Sequence, residues 1–84
     1  MELKIHFTAL PKGMDFDGMK SGLDGILEDD GWIVASGEGF VELELEDEKQ
    51  NPKYGIMAVR AWLQRMEFAK DTQMEMAGTK NNIW

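Results

Sequence analysis

Residues 40–46 read Phe-Val-Glu-Leu-Glu-Leu-Glu, an alternation of period two. An extended strand converts that period into two unlike faces, with Val41, Leu43 and Leu45 against a core and Glu42, Glu44 and Glu46 on the other side. Like charges spaced about 7 Å apart along one strand repel each other. A chain that keeps three of them on one face either leaves that face in water or sets it against something basic.

The rest of the chain supplies the elements such a strand needs. Residues 2–9 alternate in the same way, with Leu3, Ile5 and Phe7 inward and Lys4, His6 and Thr8 outward, until Pro11 and Gly13 end the run. From Asp15 or Asp17 as N-cap, Phe16, Met19, Leu23, Ile26 and Leu27 follow the helical period up to the turn at Asp30-Gly31. This helix carries Gly18, Gly22 and Gly25. Interior glycines cost about 1 kcal/mol each against alanine, so the expectation is a loosely packed helix, with a close backbone approach as the alternative. Residues 32–36 read as a second strand, Gly37-Glu38-Gly39 as a tight turn, and residues 40–46 as the third strand of a hairpin.

Asn51-Pro52 announces a second helix, with Asn51 as N-cap and Pro52 in the first helical position. Its buried stripe is expected to be Ile56, Val59, Leu63 and Met66, with Trp62 on the shoulder and Arg60, Gln64 and Glu67 on the wet side. Residues 72–77 alternate once more, Met74 and Met76 against Gln73 and Glu75. Residues 78–84 read as a polar tail ending in Ile83 and Trp84.

The order strand, helix, strand, strand, helix, strand resembles the α+β, ferredoxin-like βαββαβ plan. The resemblance rests on element order and covers residues 2–77 of a single domain, 1–84, whose tail is 78–84. It implies a four-stranded antiparallel sheet in the order 4-1-3-2 with two helices on one face and the other face open. Glu42, Glu44 and Glu46 then lie on the open face beside Lys4 and His6, with Glu2 and Glu75 nearby. Lys4 relieves part of the repulsion there but does not neutralise the stripe.

The net charge of -7 is unevenly spread. Residues 1–48 hold thirteen Asp or Glu against Lys4, Lys12 and Lys20, whereas residues 49–84 hold three against six Lys or Arg. An acidic field disfavours direct contact with nucleic acid or an anionic membrane, since phosphate contacts need clustered cations. A basic protein is the expected partner. Cysteine is absent, which removes disulfides, thiolate nucleophiles and cysteine metal sites and fits a reducing cytoplasm. The start, Met1-Glu2-Leu3-Lys4, lacks the regions of a signal peptide, so a cytoplasmic protein is expected.

Catalytic and metal chemistry finds no motif. His6 is the single histidine, more simply a solvated cross-strand partner than a proton shuttle. The pairs Glu42/Glu44 and Glu44/Glu46 have spacings that could suit a glycosidase, but a flat open sheet offers neither a cleft nor a raised pKa. Asp15-Phe16-Asp17-Gly18 lacks the further ligands of a calcium loop. Gly37-Glu38-Gly39 leads into a strand and carries no lysine, so it is a turn rather than a phosphate cradle. Ser21 and Ser36 have no base to activate them. Among the seven methionines, Met66, Met74 and Met76 fall where core is expected and Met57 outside it. Trp32 and Trp62 read as core or rim residues, while Trp84 must tuck back or dock elsewhere.

Small size, acidity and a Glu-rich hairpin resemble the small inhibitor proteins of bacteria and phages, the immunity and anti-CRISPR proteins. That resemblance implies a non-enzymatic protein-binding module, without a cofactor, that occupies a basic surface of its partner, such as one that otherwise binds nucleic acid; the charge pattern and the terminal tryptophan make Glu42, Glu44, Glu46, Glu75 and Trp84 the expected contacts. The alternative is a dimeric regulatory or ligand-binding domain, a homodimer joined through strand edges or the Gly18/Gly22 shoulder. A small isomerase using His6 is a third.

Overall fold

The computed structural model describes residues 1–48 and 51–84. Strands β1 (Glu2–His6), β2 (Gly31–Gly37), β3 (Phe40–Leu45), β4 (Gln73–Met76) and β5 (Thr79–Asn82) form one antiparallel sheet, and helices α1 (Phe16–Leu27) and α2 (Lys53–Arg65) complete an α+β fold. The order across the sheet is β2-β3-β1-β4-β5. Its first four members lie as the element order predicts. The fifth corrects the expectation of a four-stranded sheet with a polar tail.

The alternation reaches its predicted partners. Leu3 and Ile5 of β1 pair with Leu43 and Val41 of β3, and Ile5 also pairs with Met74 of β4. These side chains and Leu45 are buried in one cluster with Met19, Leu23 and Leu27 of α1 and Val59, Trp62 and Leu63 of α2. Both helices therefore cover the same face of the sheet. Because two packed helices span about four strands, a fifth strand overhangs. Thr79, Lys80, Asn81 and Asn82 are accordingly all exposed.

Helix ends follow from local chemistry. Asp15 caps α1 by accepting from the Gly18 N–H at 2.7 Å. Asn51 accepts from the Lys53 N–H at 3.0 Å, but Pro52 flanks the helix rather than opening it, so α2 begins one residue later than expected. At the other end of α2, Glu67 takes φ 62°, while its N–H donates to Gln64 O and the Phe68 N–H donates to Leu63 O. This is a Schellman closure with glutamate in the left-handed position that glycine usually fills.

Several packing expectations change, Ile56 among them, which is half-buried rather than buried. Trp62 is buried rather than on a shoulder, Met66 at the end of α2 is exposed rather than core, and Met76 is half-buried. Gly22 is not loosely packed: a Cβ there would meet Trp62 Cζ2 at 2.4 Å, so the indole fills the space that the glycine leaves. Gly25 faces open space, as the loose-helix reading expects.

Candidate functional site

The face of the sheet that the helices leave uncovered is a grid set by strand register. One row across the strands runs Ala35, Glu42, Lys4, Glu75, Lys80. The row beside it runs Trp32, Glu44, Glu2, and the row toward the β2–β3 turn runs Gly37, Phe40, His6, Gln73, Asn82. Alternation places these side chains outward on β1, β3, β4 and β5, while on β2 the irregularity between Ile33 and Ala35 is needed to bring both Trp32 and Ala35 to this face. Pairing then brings together Glu42, Glu44 and Glu75, three of the residues singled out from the sequence.

Each predicted glutamate has its own surroundings. Glu44 Oε1 accepts from the N-terminal ammonium of Met1 at 2.9 Å, and that ammonium also lies 3.2 Å from Asp47 Oδ2. The hydrogen bond to Glu44 is the largest cause holding the ammonium's pKa above its ordinary 8.0; Asp47 adds to it and burial opposes it. Glu75 Oε1 lies 2.7 Å from His6 Nε2. This hydrogen bond is the main reason its carboxyl titrates below the ordinary 4.5; burial opposes it, and the charges of His6, Lys80 and Lys4 reinforce it. Glu46 lies just beyond β3 and accepts from the Glu48 N–H at 2.7 Å. No ion pair joins Glu42 to another described residue.

Lys4 stands between Glu42 and Glu75 in register, yet its Nζ leans over the Phe40 ring, 4.6 Å from the centroid. The ring itself lies across Gly37, where a Cβ would meet it at 2.6 Å. The middle row therefore alternates in sign, a pattern the stripe in the sequence does not show. A depression of about 200 Å³ between Glu2, Lys4, Glu42, Glu75, Ala77 and Gly78 sits on it.

Trp84 is elsewhere. Its indole N–H donates to Phe68 O at 3.0 Å, and the residue remains 55% exposed. It borders a cavity of about 410 Å³ under the overhanging strand, lined also by Ile56, Arg60, Met74, Met76, Asn81 and Asn82. Ile83 next to it is fully buried, and its carbonyl accepts from Arg60 Nε at 3.1 Å and from Gln64 Nε2. The sequence thus names two surfaces under one heading: the glutamates occupy the open face, and Trp84 the helix side of the sheet's far edge.

Two features escaped the sequence reading. Trp32 is 48% exposed and directly opposite Glu44, and Val34, at an irregularity between Ile33 and Ala35, is 52% exposed. Alternation could not have found them: regular pairing back from Gly37 and Phe40 would set Ile33 opposite Glu44 and Trp32 opposite Leu45, and the irregularity between Ile33 and Ala35 shifts the register by one residue. Among the described residues, no group of three or more His, Cys, Asp or Glu side chains could hold a metal ion. No helix among them is long and apolar enough to cross a membrane. Comparison with protein-family models, curated proteins and solved structures gives no significant match.

Proposed function

We propose that this chain is a non-enzymatic, cytoplasmic protein-binding module of ferredoxin-like plan extended by a fifth strand, and that its open sheet face engages a basic surface of a partner protein in the manner of an inhibitor or immunity protein. The observation that carries this reading is the row Trp32, Glu44, Glu2 beside Glu42: an exposed aromatic anchor next to carboxylates, one of which has no ion pair among the described residues. Interfaces draw their affinity from buried aromatic anchors, while charge steers the encounter and selects the partner. Glu42 and Glu44 supply the charge, with Glu46 and Glu75 at the border, and Trp32 supplies the apolar contact. A partner whose basic surface otherwise holds nucleic acid fits this field.

The test is capture of partners from a host lysate at low salt, followed by binding of the purified partner to Trp32→Ala and to Glu42→Gln/Glu44→Gln. Loss of affinity in both variants, with the fold retained, is the expected result. Full affinity in both overturns the reading.

The cavity beside Trp84 favours a second reading, a regulatory or ligand-binding domain. At about 410 Å³ it is within the size range of small-molecule sites, and Arg60 is the single charged side chain lining it. Dimerisation through the Gly18/Gly22 shoulder loses support, since Trp62 already occupies Gly22.

A further inference from the structure

The two edges of the sheet are unlike. The β5 edge is four residues long, polar and carries Lys80, one of the ways native edges resist further pairing. The β2 edge is seven residues long, Gly-Trp-Ile-Val-Ala-Ser-Gly, without a charge or a proline. Trp32 and Val34, two of the six exposed large apolar residues among those described, both belong to it.

We propose that the free edge of β2 accepts an extended segment of the basic partner as a sixth strand, and that this segment carries Arg or Lys at alternate positions. The proposal rests on the basic-partner reading above and names the partner's binding element. The irregularity between Ile33 and Ala35 puts Trp32 in the row of Glu44 and Ala35 in the row of Glu42, so the two outward positions of β2 address two glutamates of β3.

A strand added about 5 Å beyond β2 places its own outward side chains about 10 Å from β3. Arginine and lysine are long enough to reach back across that gap. In one row the cation passes over the Trp32 ring toward Glu44, a cation–π arrangement. In the other it passes over the small Ala35 toward Glu42, which no described residue pairs.

The same irregularity leaves only short regular stretches on either side of Val34. Main-chain pairing is therefore brief, and the two cations decide specificity. A second copy of this chain fits worse. Antiparallel pairing of β2 with β2 offers no cation to Glu42 or Glu44, and it brings the acidic segment Glu28–Asp30 of one copy toward Glu38 of the other.

The probe is an acetylated, amidated heptapeptide alternating arginine and valine, titrated into the isotopically labelled protein and followed by amide shifts and hydrogen exchange. Expected are shifts and slowed exchange concentrated in residues 31–37, at least tenfold weaker binding of the same peptide with N-methylated valines, three- to tenfold weaker binding to Glu42→Gln, and loss of detectable binding to Val34→Lys. Val34 is exposed, so this last variant keeps its fold, which its amide spectrum verifies. No binding at millimolar peptide overturns the proposal. So does equal binding of the N-methylated peptide with shifts on β1 and β4, a result that leaves the acidic-face reading standing. Sedimentation as a dimer with β2 protected in the absence of peptide assigns the edge to a second copy and overturns it as well.

Discussion

Gly22 and Gly25 look alike in the sequence, and a single atom separates them in the fold. Alanine at Gly25 meets nothing within 4 Å, so Gly25→Ala gains helix propensity and reduced unfolded-state freedom, about 0.4–1 kcal/mol, and raises the melting temperature by several degrees. At Gly22 the new Cβ lies 2.4 Å from a carbon of the buried Trp62 ring. Overpacking costs about 1–3 kcal/mol and exceeds the propensity gain, so Gly22→Ala lowers it. Thermal unfolding followed by circular dichroism checks the opposite signs. Glu75 adds a pH dependence. Its folded pKa lies below 4.5, so its contribution to stability is present above the unfolded value and is lost as pH falls through the folded one. Glu75→Gln is therefore less stable than the native protein at neutral pH, and the two converge once pH drops below the folded pKa. Denaturant titrations between pH 7 and pH 3 measure this.

At the scale of elements, the last strand shows what pattern conveys and what it omits. β1, β3 and both helices were legible because each is half apolar, and burial of that half dictates period and face. β5 was not, since Thr79, Lys80, Asn81 and Asn82 bury nothing and an overhanging strand leaves no hydrophobic trace. What holds it lies at its ends. Ala77 and Gly78 both take positive φ, 52° and 80°, as a two-residue hairpin turn requires, and Ile83 is fully buried beyond it. The Ile83 N–H donates to Thr72 O at 3.3 Å. Burial of an isoleucine side chain contributes about 1.5–3 kcal/mol. Deleting residues 79–84 removes that burial together with the β4 pairing, and a drop in melting temperature of about 10 °C or more is expected by scanning calorimetry. An unchanged transition would mean that the strand rests on the fold without stabilising it.

Over the whole molecule, the outward positions on β1 and β3 and the place of Lys4 and Glu75 beside their glutamates were readable from alternation and element order, but the places of Lys80 and Trp32 were not. The row that crosses the stripe at Glu42 continues through Lys4 and Glu75 to Lys80, and its last cation comes from β5, which leaves no trace in the hydrophobic pattern. Trp32 joins Glu44 only through the β2–β3 register. The same long-range pairing separates Trp84 from the glutamates. What survives is a face with net negative charge and an aromatic anchor, and the account predicts that its encounter with a basic partner is electrostatically steered. The most direct test is the association rate of the captured partner measured from about 50 to 500 mM salt for the native chain and for Glu42→Gln/Glu44→Gln/Glu46→Gln. The account predicts a native rate that falls tenfold or more over this range, and a triple variant that remains folded but associates slowly with little dependence on salt. A native rate indifferent to salt, or a triple variant as fast and as salt-sensitive as the native chain, would contradict it.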